Sequence, residues 1–339
     1  MKNVTKTLKK ITAIAVAAAM MTGLSACGGS SNSTAASGSS AEAPVKVRAA
    51  LSDFVVALDK ELHIYEKYGI DIEASQFAMG IESINALTTG GLEFAVGADY
   101  AIVNRLGTIT GDTDLRIVAQ ITDYAPLVFF TDPETIPTTA DLNGKRLATT
   151  VGTIFDYAYA RMFEAYGADP DTITLVPVST PAEALALVDR GELDGFWVYG
   201  KDEAKFAEHG WKRLVSTDEF GMGRYQFFLA RQDYVNEHKD TVEAFLKATD
   251  EIYSTYYADQ DAAAEIIARN SSLDTTNLKR DNDLLNYHIT FDKEAFDKTS
   301  ELNGWLRDNG YYEKVFDLAD CVDASAVKEA FPDRVTYEK

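Results

Sequence analysis

The amino-acid sequence predicts an α/β fold built from two similar lobes. Predicted strands alternate with predicted helices from residue 45 to residue 230, and this alternation is typical of a mainly parallel sheet covered by helices. Residues 82–93 align with residues 183–194, and in both segments a helix ends at a glycine and a buried strand follows. This echo indicates either one topology repeated in two lobes or ordinary helix-to-strand joints of a single α/β domain.

Strands are predicted where short runs of aliphatic and aromatic residues are bounded by turn residues. They cover residues 45–51, 70–74, 92–97, 115–121, 126–130, 147–151, 174–178, 193–198 and 225–230. Helices are predicted over residues 59–68, 82–89, 242–256, 261–269, 293–309 and 324–331. Two more helices are predicted by one end each: one follows strand 147–151 and ends at residue 166, and the other begins at residue 180. Thr180, Pro181 and Glu183 supply an N-cap, a first-turn proline and a capping box for one of these helices.

The first 44 residues have the pattern of a secreted and lipid-anchored chain. Four lysines precede an apolar run that ends in Leu24-Ser25-Ala26-Cys27, which is the layout of a signal peptide. The run is shorter than the roughly 20 residues that span a bilayer. The last four residues resemble the lipobox of bacterial lipoproteins, which implies cleavage before Cys27 and lipidation of its sulfur. Residues 1–26 would be the signal peptide and residues 27–44 a Ser/Gly-rich tether; the alternative is an ordinary secretory signal with an incidental cysteine.

Net charge and cysteine content exclude several kinds of binding partner and a disulfide framework. The formal net charge is −21, so nucleic acid and anionic lipid would be repelled. The chain contains two cysteines, and lipidation of Cys27 would leave Cys321 without a disulfide partner. No apolar run outside the leader is long enough to cross a membrane. We therefore expect a membrane attachment through the N-terminal lipid alone, at the extracytoplasmic face of the cell membrane.

Four short motifs carry a resemblance to a known family. They are LHIYEKYGIDIE at residues 62–73, GLEFA at 91–95, DLNGKRLA at 141–148 and GELDG at 191–195. In this order and spacing they resemble the nitrate/sulfonate/taurine substrate-binding family of ABC transporters, which also includes binders of thiamine pyrimidine precursors and riboflavin. The resemblance covers about residues 45–270.

The resemblance implies a two-lobed fold of the periplasmic-binding-protein type II class, with two crossover strands and a ligand cleft between the lobes. Lobe one would comprise residues 45–130 and 231–339, and lobe two residues 131–230, with crossings near residues 129–131 and 228–231. It also implies a monomer that captures a small solute and delivers it to an ABC permease and its ATPase. Neither a cofactor nor a metal ion is expected.

Ligand-binding residues are predicted from the positions where strands end, since ligands of α/β sheets bind beyond the carboxyl ends of the strands. These residues are Ser52, Asp53, Phe54, Met79, Gly80, Asp99, Tyr100, Asp123, Tyr124, Gly152, Thr153, Phe155, Asp156, Trp197, Tyr199 and Tyr225. The Gly152-Thr153 turn opens a helix, so its free N–H groups could bind an anion or a carbonyl group.

Aromatic rings and carboxylates dominate this set, and no arginine lies in the loops concerned. Rings stack on flat ligands, whereas a carboxylate beside a sulfonate is costly unless it is paired. We therefore expect a small aromatic or heterocyclic solute with donor groups, and a sulfonate, taurine or nitrate as the second choice. The aspartates could alternatively serve as helix caps.

Two other classes of function stay open. A ligand-sensing or adhesive surface lipoprotein would use the same fold without a permease. An extracellular enzyme is the remaining alternative, although the four histidines form no zinc-binding motif and no nucleophile-elbow sequence occurs. Cys321 with His288 would be the conceivable nucleophile and base, but the sequence around Cys321 is typical of a short buried segment.

Overall fold

The structure is a computed structural model, and it describes residues 43–77, 79–109, 114–123, 126–199 and 202–339. The predicted signal peptide, Cys27 and nearly all of the predicted tether lie outside these residues. The folded unit spans Glu42–Lys339. Among the residues that the structure describes, no helix has the length and apolar character needed to cross a bilayer.

The strands are β1 (Val45–Ala50), β2 (Ile70–Ser75), β3 (Ala95–Ala98), β4 (Leu115–Asp123), β5 (Val128–Thr131), β6 (Arg146–Thr149), β7 (Thr174–Pro177), β8 (Gly195–Val198), β9 (Lys212–Ser216), β10 (Tyr225–Arg231) and β11 (Tyr287–Thr290). The helices are α1 (Asp53–Leu62), α2 (Ile64–Lys67), α3 (Gly80–Thr88), α4 (Asp99–Thr108), α5 (Ile154–Tyr166), α6 (Pro181–Asp189), α7 (Glu203–Glu208), α8 (Gln232–Glu237), α9 (Lys239–Ala258), α10 (Gln260–Asn270), α11 (Leu278–Leu285), α12 (Lys293–Asp308) and α13 (Ser325–Ala330).

The strands form two separate groups. One group contains a parallel pair, β1-β2, and a four-stranded sheet in the order β11-β4-β10-β3, and a bridge between Ala49 and Phe94 connects the pair to this sheet. The other group is a five-stranded sheet in the order β7-β6-β8-β5-β9. Among the described strand pairings three are parallel and five antiparallel. The expectation of a mainly parallel sheet is thus wrong, because β5 and β10 run against their neighbours.

The predicted crossings at residues 129–131 and 228–231 fall inside strands. β5 pairs with β8 and β9, whereas β10 pairs with β3 and β4. The chain therefore passes between the two groups of strands before each of these strands begins, between Asp123 and Val128 and again between Phe220 and Tyr225. We propose on this basis that lobe one consists of residues 43–123 and 225–339, and lobe two of residues 128–220.

The sequence echo corresponds to the same interaction in each lobe. Glu93 accepts hydrogen bonds from the backbone N–H of Arg48 at 2.7 Å and from its side-chain Nε at 3.1 Å. Asp194 accepts the equivalent bonds from Arg146, at 2.8 Å and 3.0 Å. Both acids follow a glycine turn, and the two arginines lie on strands β1 and β6. The two segments therefore hold matching helix-to-strand joints, and bonds to a charged acceptor strengthen both.

Local signals explain where the prediction of elements was incomplete. The predicted helix 59–68 is two helices, because His63 adopts a left-handed conformation (φ 51°) between α1 and α2. The sequence did not predict β9, α11 or β11. Helix α11 is strongly polar and strand β11 is only four residues long, so neither has a clear apolar pattern. The capping box of α6 is present, with the Glu183 N–H donating to Thr180 Oγ1 at 3.1 Å.

The glycine turn of lobe two gives a direct test of the repeated joint. Gly191 has φ +66° and open space where a Cβ would be added, so Gly191→Ala introduces backbone strain without a clash. We expect it to lower the free energy of unfolding by about 1–2 kcal/mol. Gly304 lies inside α12 without a positive φ and with equal space, so Gly304→Ala should raise it by roughly 0.5–1 kcal/mol. Urea denaturation measures the unfolding free energy of both variants. Equal effects of the two substitutions would contradict a positive-φ turn at Gly191.

Candidate functional site

A cleft of about 740 Å³ lies between the two groups of strands. Its walls come from lobe one, from lobe two, from both passages between them and from α11. The lining residues are Met79, Gly80, Ile81, Ala98, Asp99, Tyr100, Ala101, Asn104, Pro126, Gly152, Thr153, Ile154, Tyr199, Arg224, Asp281, Leu284 and Leu285. This volume suits a small organic ligand.

Asp99 and Tyr100 form the lobe-one wall at the start of α4. Asp99 is 4% exposed, and its carboxylate accepts the N–H of Tyr100 at 2.7 Å and the N–H of Tyr225 at 3.1 Å. Burial raises the pKa of Asp99 to about 6, although the positive charge of Arg224 opposes this shift. The carboxylate therefore changes charge within a physiological range of pH.

The lobe-two wall is the turn between β6 and α5. Gly152 has φ +76°, and Thr153 caps α5 by accepting the N–H of Phe155 at 3.3 Å. The carboxylate of Asp156 has hydrogen-bond partners within the chain. It accepts the N–H of Gly152 at 2.8 Å and the hydroxyl of Tyr311 at 2.9 Å. The positive end of the helix dipole thus lies at the cleft beside the Thr153 hydroxyl.

Arg224 is the most informative residue that the sequence analysis missed. It lies in the second passage between the lobes, is 7% exposed, and lines the cleft. Its guanidinium lies 5.0 Å from the ring centroid of Tyr199, which is within the range of a cation–π contact. Arg224 does not follow the carboxyl end of a strand: it precedes β10, which is antiparallel to β3 and begins at the edge where β3 ends. The segment Gly221-Met-Gly-Arg224 before a strand was the available signal.

A smaller chamber of about 290 Å³ adjoins the cleft. The two cavities share Met79, Gly80, Ala98 and Ala101. The chamber also contains Ser52, so this predicted residue lies beside the cleft and not in it.

Several predicted aromatic side chains lie in the core instead of on the cleft wall. Phe54 packs against Tyr253, Tyr256 and Tyr287. Trp197 is buried against Phe129, with ring centroids 5.0 Å apart. Phe155 is buried against Phe196 and Tyr199, with centroids 5.5 and 5.6 Å apart. Tyr100 and Tyr199 are the predicted rings that line the described part of the cleft. Tyr124 lies outside the described residues, and Asp53 is the first residue of α1 without lining either cavity.

Asp123 and Tyr225 line a third cavity, of about 360 Å³, together with Asp292 and Arg224. Asp123, His288 and Asp292 each place one potential ligand atom within 4.8 Å of the others, so these three could hold a metal ion. His288 Nε2 lies 3.7 Å from Asp123 Oδ2. The sequence predicted no metal site, and an exposed carboxylate such as that of Asp123 is common on acidic surfaces without a metal ion.

Cys321 does not have the environment of a nucleophile. Its thiol is partly buried, and burial raises its pKa above the usual value. A raised pKa lowers the thiolate fraction at neutral pH and with it the reactivity. His288, its conceivable partner, instead has Nδ1 within 2.6 Å of the backbone oxygen of Asn286.

The chain is similar to known proteins in sequence and in fold. The profile of the NMT1/THI5-like family matches residues 52–263. The taurine-binding periplasmic protein of Escherichia coli strain K12 is 24% identical over 207 residues, which are 57% of this chain and 60% of that protein. The crystal structure of the periplasmic aliphatic sulphonate binding protein SsuA from Escherichia coli has a TM-score of 0.70 at 18% identity, covering 83% of this chain and 92% of the other.

The same fold also occurs in an enzyme. The crystal structure of the desulfurization enzyme DSZB has a TM-score of 0.64 at 12% identity, covering 85% of this chain and 99% of that one. Likeness at this identity extends to the fold alone. The periplasmic-binding-protein fold predicted from the sequence is therefore confirmed, whereas ligand contact by the individual site residues stays a prediction.

The buried carboxylate of Asp99 predicts a pH dependence of stability. Its folded-state pKa of about 6 lies above its unfolded value, so the native state binds the extra proton between about pH 4 and pH 6. Stability contributed by Asp99 is therefore highest below pH 4 and is lost as the pH rises through 6. Asp99→Asn removes this dependence, and we expect the difference in unfolding free energy between variant and wild type to shift by about 2–3 kcal/mol between pH 4 and pH 7.5.

The measurement is urea denaturation of both proteins across this range. Asp297→Asn, which removes an exposed carboxylate on α12, is the control for a general loss of negative charge. Parallel pH profiles for wild type and Asp99→Asn would show that Asp99 ionises normally in the folded protein.

Proposed function

The chain belongs to the NMT1/THI5-like family, and from this premise we propose that it is the extracytoplasmic solute-binding protein of an ABC importer. It captures a small organic solute in the cleft between its lobes and delivers it to a permease that an ATPase drives. The sequence pattern around Cys27 supports a lipid anchor at the outer face of the cell membrane. The protein acts as a monomer without nucleic-acid partners.

We propose an organosulfonate as the ligand, and the observation that carries this choice is the buried Arg224. The sequence favoured an aromatic solute because no arginine lies in the strand-end loops, whereas in the structure a guanidinium lines the cleft. A planar guanidinium donates paired hydrogen bonds to an oxyanion. The start of α5 lies on the same cleft and adds a favourable helix dipole. The name of the taurine-binding relative agrees with this ligand class.

Asp99 gives the site a second, opposite charge. A buried carboxylate and a buried guanidinium on one cleft match a solute that carries both an oxyanion and a donor group. An aminosulfonate has this charge pattern, since its ammonium group can donate to Asp99 while its sulfonate accepts from Arg224. An aminosulfonate is therefore the preferred member of the class.

An aromatic or heterocyclic solute is the second candidate. Tyr100 and Tyr199 both line the cleft and offer ring surfaces for stacking. This candidate gains less support than the sequence predicted, because Phe54, Phe155 and Trp197 lie in the core. A ligand that combines a ring with a sulfonate would use both features.

Ligand binding would favour contact between the lobes. The lining residues come from both lobes, so a solute that contacts both walls binds the closed arrangement more tightly than the open one. The two passages, which connect Asp123 with Val128 and Phe220 with Tyr225, are where the backbone would absorb such a movement.

We expect the purified protein to bind taurine or a short alkanesulfonate in isothermal titration calorimetry. Arg224→Met should weaken this binding by about 10- to 100-fold, because a charge-assisted hydrogen bond contributes about 1.5–3 kcal/mol. Arg224→Lys keeps the charge without the planar fork and should give an intermediate loss. Arg161→Met, on α5 and paired with Glu164, is the matched control and should bind normally.

A panel that also holds nitrate, pyrimidines, thiamine and riboflavin precursors and aromatic amines separates the candidates. Tight binding of an aromatic compound that Arg224→Met leaves unchanged would replace the organosulfonate proposal with the second candidate. Binding of none of these compounds would favour a sensor or adhesin.

The ionisation of Asp99 predicts how pH should discriminate between two sulfonates. Ethanesulfonate lacks the ammonium group of taurine, so its affinity should fall as the pH rises through about 6 and Asp99 becomes charged. Taurine should lose less affinity or gain some, since its ammonium pairs with the charged form. Asp99→Asn should abolish the difference in calorimetric titrations at pH 5 and pH 8. Identical pH profiles for the two ligands would contradict a role for Asp99 in binding.

A further inference from the structure

A set of contacts joins the lobes away from the two passages. The hydroxyl of Tyr311, which follows α12 in lobe one, donates to Asp156 Oδ2 on α5 of lobe two at 2.9 Å. Beside this bond the rings of Tyr157 and Trp305 approach with centroids 5.2 Å apart. One hydrogen bond and one ring contact therefore connect α5 with α12 and the residues that follow it.

The lobe-one side of this connection is firmly placed. The ring of Tyr311 packs against Trp305 with centroids 5.4 Å apart and meets Tyr100 edge to face at 6.4 Å. Lys314, three residues further on, donates to the backbone oxygen of Leu106 on α4 at 3.3 Å. The hydroxyl of Tyr311 is therefore held next to a cleft residue, Tyr100, by packing that does not depend on lobe two.

On the lobe-two side, Asp156 shapes the turn that lines the cleft. Besides the Tyr311 hydroxyl, its carboxylate accepts the N–H of Gly152 at 2.8 Å and the hydroxyl of Thr149 at 3.1 Å. Gly152 and Thr153 both line the cleft. A single carboxylate thus connects the position of Tyr311 with the conformation of the turn at the start of α5.

We propose that Tyr311 and Asp156 form an interlobe latch, in which both act as positioning residues for the ligand site. The latch holds α5 against lobe one and fixes the turn at residues 152–153 in the conformation that faces the ligand. It differs from the ligand contact predicted for Asp156 from the sequence, because the carboxylate is occupied by three donors of this chain. The taurine-binding measurement described below rests on the proposed function, whereas the latch itself does not.

Tyr311→Phe tests the latch, because it removes the hydroxyl and keeps the ring that packs on Trp305 and Tyr100. Without ligand, we expect hydrogen exchange in peptides covering residues 150–157 to become about tenfold faster, as a bond to a carboxylate is lost. The radius of gyration in solution scattering should increase as open forms become more populated. Tyr166→Phe makes the same chemical change at the other end of α5, where the ring meets Phe220, and should alter neither quantity.

A double-mutant cycle with Asp156→Asn identifies the partner. In the Asp156→Asn background, Tyr311→Phe should have less than its full effect on exchange, since the two residues share one bond. With taurine as the probe, Tyr311→Phe should weaken binding by about tenfold while Tyr166→Phe leaves it unchanged.

Unchanged exchange at residues 150–157 together with an unchanged radius of gyration in Tyr311→Phe would overturn the latch. Additive effects in the cycle would overturn the pairing with Asp156. If wild type does not bind taurine, the ligand proposal fails, and the exchange and scattering results still decide on the latch.

Discussion

The cleft between the lobes contains two buried groups of opposite charge, Asp99 and Arg224, and the cost of burying them determines how the surrounding backbone is arranged. Asp99 and Arg224 are 4% and 7% exposed, and removing a charge from water costs several kcal/mol unless partners compensate it. The backbone N–H groups of Tyr100 and Tyr225 compensate Asp99 directly. Tyr225 begins β10, so satisfying this carboxylate also fixes where the second passage ends and where Arg224 lies.

Each lobe keeps its own rigidity through a local device. The Arg48–Glu93 and Arg146–Asp194 pairs connect strands β1 and β6 with the joint that follows the glycine turn of the same lobe. Each pair combines a backbone and a side-chain donor on one carboxylate, which specifies geometry more than a surface ion pair does. Because these interactions stay within a lobe, the lobes can act as rigid bodies and leave movement to the passages between them.

Much of the fold and part of the candidate site could be predicted from the sequence. The alternation of strands and helices predicted the α/β class, and the rule that ligands lie beyond strand ends identified Asp99, Tyr100, Gly152 and Thr153 on the cleft. The rule did not identify Arg224, because this residue precedes a strand. Strand β10 is antiparallel to β3, so the start of β10 lies at the edge of the sheet where β3 ends. It also could not place Leu284 and Leu285, which reach the cleft from α11, far along the chain.

The same rule named too many aromatic residues. Trp197 is still paired with Phe129 inside the five-stranded sheet, so its ring lies in the core, whereas Tyr199 is beyond the strand and lines the cleft. A shift of two residues decides between core and cleft, and strand ends read from sequence are uncertain by that amount. Asp156 was likewise placed near the ligand, but a hydroxyl from the distant residue Tyr311 occupies its carboxylate. Such long-range partners depend on tertiary packing that local patterns do not encode.

A crystal structure of the protein grown with taurine tests the central claim most directly. The account predicts taurine in the cleft between the lobes, with sulfonate oxygens within hydrogen-bond distance of the Arg224 guanidinium and near the start of α5, and with its ammonium group facing Asp99. A sulfonate bound away from Arg224, or with its ammonium group turned away from Asp99, would contradict the assignment of the two buried charges as the ligand-binding pair.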